Sequence, residues 1–569
     1  MKLLVLGDDL LSFTQETNVD CVGCSALVSS EKISDPKASQ YDAVVFGSDG
    51  YDIDLLKLAV RKVKDAGVES FVFLSYFIRH LPSENQSSEV HSYFKQAEEF
   101  LKAEFKESDG SLVILRLGNL LEANQFRAFW FLAPLCSPRY QSPFVSAERV
   151  RSIVRQLIGE KSVAGRVVTL LGENKRVSEV LLANRDSSLL KSVLFGLNQC
   201  LWFLGVGLLI EGVLLAIKRK SLNFRVWRCH TLFPTSEEEV LSLCNPHNFE
   251  DVKVVGYNNG INHYGRSYPG KTVICTVCFN KILFVSEDEV NVQAGVTFRG
   301  IYEALKPDKK TLHVVPNYSY ISAGSAFFIP VHGSTRKFSS LGETISEVTF
   351  YNVSEDEIVT LREDSEAFKE TIYDLSRPIV VLRLAIKIKE ISSYVRKQQE
   401  LESPSIDDLI KELHDPEPNN LEIRKTKSTS TQVTINKYYL AQDTNEVEGD
   451  DLPRDDVGGL WDAMEEHPIK APLFHFYVKA FGYGPEFFLE ERDFRTFLEE
   501  HHKFPIQKLN FRKVKPDDLM HSPFFQRQLY SIDIFMLKRH QKRFDQGMRE
   551  MCKGTIRMHP GKHLMGSES

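Results

Sequence analysis

The chain has 569 residues, of which 42% are hydrophobic and 26% charged, with a formal net charge of −7. That length holds two to four packed domains at roughly 150 residues each, and the acidic balance excludes a polyanion such as nucleic acid as partner. Nine cysteines without a dense framework suit a reducing compartment; Cys21/Cys24 and Cys275/Cys278 have C-x-x-C spacing but lie far apart in sequence, so no metal site is expected.

The chain opens on Lys2-Leu3-Leu4-Val5-Leu6-Gly7, a buried strand too short for the apolar core of a secretion signal. Tyr41–Gly47 is a second such strand, a helical pattern follows over Leu55–Ala66, and Phe71–Ser75 is a third strand. A helix over Phe94–Phe105 then leads into the strand Leu112–Gly118. Apolar strands alternating with amphipathic helices predict a doubly wound parallel sheet over residues 1–185. The runs Gly67 to Ser75, Lys95 to Leu101 and Ile114 to Gly118 resemble the atypical short-chain dehydrogenase/reductases of the NmrA-like, NAD-epimerase-like kind. That resemblance implies a Rossmann-like domain with NAD(P) as cofactor. Its glycine motif would fall on Gly7, Leu10 and Phe13, and bulky residues there crowd a pyrophosphate. His91 stands where the resemblance puts the catalytic tyrosine. A degenerate domain kept for packing or docking is therefore favoured over a working reductase.

Residues 186–222 hold the most hydrophobic stretch of the chain. Its core, 192–217, would span about 39 Å as a helix, enough for a bilayer. Glu211 within it would cost about 2.5–3.5 kcal/mol on insertion scales, and Lys218-Arg219-Lys220 follow. A monotopic or re-entrant helix on the cytoplasmic side of a membrane is expected, with a buried interdomain helix as the alternative.

From residue 223 to 395 four blocks follow in order. Pro234-Thr235-Ser236 precedes Glu237-Glu238-Glu239, where Ser236 and Glu239 have capping-box spacing. The strand Val252–Val255 ends in Gly256-Tyr257-Asn258-Asn259-Gly260-Ile261. Val292-Gln293-Ala294-Gly295-Val296 is the third block, and Ser322-Ala323-Gly324-Ser325 with His332-Gly333-Ser334 the fourth. β-branched runs broken by Gly and Asn are short strands joined by loops that can approach a phosphate, because glycine carries no Cβ. The blocks and their order resemble the FAD-linked oxidases, the family of vanillyl-alcohol oxidase and the aldonolactone oxidases. The resemblance implies a PCMH-type FAD-binding α+β domain. It also implies non-covalent FAD held by Gly256 to Ile261, Ser322 to Ser325, His332 to Ser334 and Val380. Ser325 replaces one family glycine, and the usual histidine for covalent attachment is absent from the first loop.

Residues 396–569 form a predicted α+β substrate (cap) domain. Glu390–Gln399 is predicted as a polar helix, Ile406–Leu413 as a helix, and Leu421–Ile423 and Val433–Tyr438 as half-buried strands. Asp443–Asp456 is predicted as a solvated acidic loop. The aromatic runs Leu473–Tyr477 and Phe481–Pro485 suit a core, with a substrate-cleft wall or a lipid-facing surface as alternatives; Ser531–Phe535 suits a strand and Phe544–Met551 a helix. Near the end, Arg557-Met558-His559-Pro560-Gly561-Lys562 is similar to the aldonolactone oxidase ending, whose basic groups lie at the flavin. The resemblance implies Lys562, His559 and Arg557 as the catalytic polar groups, because a cation there stabilises reduced flavin. The expected activity is oxidation of an alcohol C–H in a sugar, sugar lactone or polyol, free or lipid-linked, with hydride passing to FAD. The rivals are a membrane-associated scaffold with decayed nucleotide folds, and a fused two-step epimerase.

Overall fold

The structure is a computed structural model that describes most of residues 231–441 and 481–562, the strand Asp450–Pro453 between them and, ahead of them, Leu197 and segments within 3–22, 41–76, 89–120 and 141–176. Leu10, Phe13, Asn258, Asn259, Gly260, Ile261, the aromatic run 473–477 and, Leu197 apart, the apolar stretch 192–217 lie outside the described residues. Among the described residues no helix is long and apolar enough to cross a membrane. The chain divides into two compact units, Met1–Val254 with Ser267–Cys275, and Val255–Arg266 with Thr276–Ser569.

The first unit is built on a parallel sheet. Its strands run in the order Val19–Val22, Leu3–Gly7, Ala43–Gly47, Ser70–Tyr76, Ser111–Leu117, Arg166–Leu170, every neighbour parallel. Alternate side chains of one strand point to opposite faces, and helices cover both. Val44, Phe46, Phe71 and Phe73 pack with the helices Ile53–Asp65 and Glu89–Phe105. Val45, Val72, Val113 and Leu115 pack with Ala147–Gly159. The helix Glu89–Phe105 also carries Glu98, which is buried and fully committed. It accepts from Ser75 Oγ at 2.8 Å and pairs with Arg116 through Nε (3.0 Å) and Nη2 (2.6 Å). The edge strand Arg166–Leu170 receives the short helix Glu237–Leu243: Thr169 Oγ1 donates to Ser242 Oγ at 3.2 Å, and Asn245 Nδ2 to the Thr169 carbonyl at 3.2 Å. Ser236 caps that helix from Glu239 N at 3.2 Å, while the Glu239 carboxylate turns back to Thr235 N at 2.7 Å and not to Ser236.

The second unit holds two antiparallel sheets among its described residues. The first runs Ile282–Val285, Glu289–Gln293, Ile379–Glu390, Ile345–Asn352, Glu357–Arg362, with Lys310–Leu312 also on the long 379–390 strand. The helices Phe298–Leu305 and Ala323–Phe328 accompany it, an α+β arrangement. The second sheet is larger and includes Ser393–Glu402, Gln432–Leu440, Asn420–Lys425, Lys508–Val514, Leu529–Leu537 and Glu486–Leu489 in that spatial order. One of its faces is apolar: Ile423, Ile435, Phe487, Leu509, Phe511, Ile532 and Ile534 pack with the helices Ile406–His414, Glu491–Glu500 and Gln541–Met551.

Two expectations are corrected here. Glu390–Gln399 is not a helix. Ser393–Glu402 is a strand, paired residue by residue with Gln432–Leu440. Nine cross-strand partners outweigh the weak helix preference of its polar residues, as tertiary context regularly does. Within the predicted acidic loop, Asp450–Pro453 pairs with Ser393–Arg396 on the other side of that strand.

Candidate active site

The site is assembled from glycines first. Gly256 follows the strand Val252–Val255, and a Cβ there would run into the Ser322 hydroxyl and lie 2.7 Å from Ser325 Oγ. Those two hydroxyls are bonded to each other at 2.7 Å. A Cβ on Gly295 would overlap the Thr276 and Phe279 carbonyl oxygens, and one on Gly324 would sit 2.9 Å from Ala294 Cβ. The blocks around 256, 294–296 and 322–325, distant in sequence, therefore touch through positions where only glycine fits. The amides of Ala323 and Gly324 donate to the carbonyls of Val296 and Ala294, both at 2.8 Å, and Ser325 N to Ser322 O at 3.0 Å. These amides lace the blocks together, and the polar atoms presented at Gly256 are the serine hydroxyls. Tyr257 follows directly in the chain; Val380 is buried in the 379–390 strand opposite Tyr351.

The fourth block continues into the second sheet. Gly333 packs against the Val315 carbonyl, where a Cβ would stand 2.7 Å from the oxygen. The Ser334 carbonyl accepts from Leu421 N at 3.2 Å. This joint brings His332 against the sheet's polar face. There His332 Nε2 meets Glu486 Oε1 at 2.7 Å. Glu486 is 2% exposed. It also accepts from Ser531 Oγ at 2.6 Å and pairs with Lys562 Nζ at 2.7 Å.

The C-terminal residues close the cluster. Arg557–Met558 adds a short strand to Glu486–Leu489, and His559 N donates to the Glu486 carbonyl at 3.0 Å. Lys562 N donates to His559 O at 2.9 Å, which turns the chain so that Lys562 Nζ also reaches Asp533 Oδ1 at 3.0 Å. Gly561 lets the turn lie on Ile329, whose Cγ2 a Cβ would approach to 2.8 Å. Of the three basic tail residues, His559 and Lys562 thus join His332, their rings or ammonium grouped around Glu486. Arg557 does not: its Nη1 donates to the Pro523 carbonyl at 2.7 Å.

Charge in the cluster follows from burial and pairing. Burial alone would raise the Glu486 carboxyl, but Lys562 and His332 outweigh it and hold it well below the usual carboxylate range. Burial acts to lower Lys562, yet Asp533 and Glu486 hold it above its ordinary value, so it is an ammonium. Burial lowers His559 to about 3, so its ring is neutral, and Nδ1 accepts from Gly561 N at 3.1 Å. Donor atoms of His332, Glu486 and His559 lie within 4.8 Å of one another. The Lys562 ammonium, already seated on Glu486, supplies the positive charge that a divalent cation would bring there.

Glu486 and Asp533 were missed by sequence reasoning, as was the surface they stand on. In the strands 420–425, 432–440, 508–514 and 529–537, one set of alternate residues forms the apolar core, and the other set includes polar residues that are nonetheless buried: Glu422, Asn436, Asn510, Arg512 and Ser531. A sheet face of buried polar groups faces a ligand or another polar surface, because buried polar groups require partners.

Residues 230–362 match the family model described as an FAD binding domain. The cofactor is FAD, and this part of the chain is a PCMH-type FAD-binding α+β domain. No curated protein matches the sequence. Among solved structures the chain is similar to wild-type Phl p 4.0202, a glucose dehydrogenase, with 12% identity, 61% of this chain and 84% of that chain covered, and a TM-score of 0.47. It is similar to a Phl p 4 variant, a glucose oxidase, at 11% identity, 59% and 79% coverage and a TM-score of 0.45. An alkyldihydroxyacetonephosphate synthase aligns at 12% identity, 56% and 70% coverage and a TM-score of 0.41.

Proposed function

We propose, from the premise that residues 230–362 are an FAD binding domain, that the protein is an oxidoreductase removing hydride from a C–H beside a hydroxyl. The substrate class is a sugar, sugar lactone or polyol. The observation that carries this is the grouping of His332 and Lys562, from remote parts of the sequence, around the buried Glu486 carboxylate. Perturbed titratable groups held in such a cluster mark functional sites.

The residues present fit the cofactor on one count: Gly256 approaches the Ser322 and Ser325 hydroxyls without a side chain, and of that bonded pair one O–H remains as a donor for a diphosphate. Gly256, Ser322 and Ser325 would hold that part of FAD, and His332 with the Gly561–Lys562 turn would border its ring. When bound, FAD supplies the two-electron acceptor.

The chain's own residues do the rest. Glu486 Oε1, 2.7 Å from His332 Nε2, fixes the ring; with the ring proton on Nε2, Nδ1, which stands 3.3 Å from the Gly333 carbonyl, would take the proton of a substrate hydroxyl. Lys562 keeps Glu486 ionised in that role, and Ser531 Oγ donates to it. The Lys562 ammonium stabilises negative charge that develops on the substrate oxygen or the ring. His559, neutral, fixes the turn that positions Lys562. Contact of residues 192–217 with a membrane and a lipid-linked form of the substrate belong to the same proposal; co-sedimentation of the full chain with anionic vesicles tests them.

The test of the main proposal is spectroscopic. Purified full-length protein should carry or take up FAD and show a flavin absorbance band. Anaerobic incubation with sugars and polyols should bleach it. Colourless protein that cannot be loaded with FAD would sink the proposal, and so would a loaded flavin that no member of the panel reduces.

A further inference from the structure

We propose that the substrate carries an oxyanion, a carboxylate or phosphate, that binds the guanidinium of Arg512, with a hydroxyl of the same molecule donating to Asn510. This rests on the oxidoreductase proposal above and specifies its substrate as a small hydroxylated acid or sugar phosphate.

Arg512 lies on the strand Lys508–Val514 and is 5% exposed. Its Nη1 contacts the Gly333 carbonyl at 3.4 Å and His332 Nδ1 at 3.5 Å, both at the outer limit of a hydrogen bond. Its Nε has no partner among the described residues. No described carboxylate pairs with it: the buried Glu422, next to the Ile423–Phe511 pair on the adjoining strand, is taken by Arg424, and Glu486 and Asp533 are both taken by Lys562. A guanidinium buried without a counter-ion is costly unless an anion completes it. The planar fork matches carboxylate and phosphate, and two parallel N–H bonds would use the idle Nε.

Asn510 supplies the second half. It too is 5% exposed, and its Oδ1 has no partner among the described residues. Two residues along one strand point to the same face, so the two groups stand about 7 Å apart. An unpaired acceptor requires a donor, and Oδ1 accepts from a hydroxyl. A bare oxyanion fills only one of these positions; a short polyhydroxy chain with an anionic end fills both. The anion would also stand close to the chemistry, because the same guanidinium lies 3.5 Å from His332 Nδ1.

The test uses full-length, FAD-loaded protein, with glucose, gluconate and glucose 6-phosphate as matched neutral and anionic probes. Binding is read from perturbation of the flavin spectrum, and reduction from anaerobic bleaching. Gluconate or glucose 6-phosphate should bind at least about 10-fold more tightly than glucose, and Arg512→Leu should weaken the anionic probe about 10- to 100-fold while leaving glucose unchanged. Arg512→Lys, which keeps the charge without the fork, should recover part of the loss. Equal affinity for all three probes overturns the inference. So does an Arg512→Leu variant that binds the anions as wild type does while sugars still bleach its flavin, and in that case the oxidoreductase proposal stands. A fall in FAD retention in both variants, with probe affinity unchanged in the loaded fraction, makes the cofactor's own diphosphate the anion and also overturns it. Wild-type protein that takes up no FAD defeats the parent proposal and this one together.

Discussion

His559 is buried, neutral and bonded through Nδ1 to Gly561 N. An unfolded histidine titrates near 6.5, whereas burial lowers this one to about 3. Between those values the unfolded chain binds one proton more than the folded chain. Stability is therefore fully present above about pH 6.5 and is lost as pH falls toward 3, at roughly 1.4 kcal/mol per pH unit. From pH 7 to pH 5 this one imidazole removes about 2 kcal/mol. Asparagine places an amide oxygen near the Nδ1 position and does not titrate, so His559→Asn keeps the bond to Gly561 and deletes the pH dependence. Urea unfolding followed by circular dichroism, for both proteins at pH 7 and pH 5, gives the comparison. Wild type should lose about 2 kcal/mol more than His559→Asn over that interval. His501, lowered by burial to about 4, is common to both proteins and cancels in the difference. Glu486, held low, contributes stability that is lost only below the ordinary carboxylate range and stays outside the interval. Parallel pH profiles for the two proteins would refute the assignment of a neutral, buried ring to His559.

Removing the Glu486 charge leaves Lys562 and His332 without their shared partner, so Glu486→Gln should destabilise the fold by roughly 3 kcal/mol; an unchanged urea midpoint contradicts this. Gly295→Ala drives a methyl into the carbonyls of Thr276 and Phe279, backbone atoms that cannot rotate away, and should reduce soluble yield sharply at 25 °C. Gly256→Val crowds the Ser322 and Ser325 hydroxyls and should lower the ratio of bound FAD to protein without abolishing folding; full flavin occupancy in that variant removes Gly256 from the cofactor site. Lys562→Met should keep FAD and slow anaerobic flavin reduction by about 10²-fold, measured by stopped-flow bleaching; a rate within twofold of wild type assigns Lys562 a purely structural task.

What the sequence made legible was local. The glycine blocks at 256, 295 and 324 announced close backbone approach, and the structure brings those segments into contact. The capped start at Ser236 was equally visible, although Glu239, expected to complete a capping box with Ser236, bonds to Thr235 instead. The tail stands out for its basic residues, but nothing local distinguishes Arg557, which bonds to Pro523, from Lys562, which bonds to Glu486. Glu486 stands in an aromatic run, Pro485-Glu486-Phe487-Phe488-Leu489, where one acid on an otherwise apolar strand is the available signal. Asn510, Arg512 and Asp533 alternate with core residues as solvent-facing groups would. Period-two alternation fixes which residues share a face but says nothing of what covers it. The strand Ser393–Glu402 escapes sequence reasoning for a similar reason, since its partners lie some forty residues onward.

The two-faced sheet has a practical consequence for anyone altering this protein. Even-numbered positions along 508–514 and odd-numbered positions along 529–537 point toward the polar side, and their neighbours point into the greasy interior. Libraries confined to one parity would retune what the protein accepts, while those confined to the other would test only whether it survives.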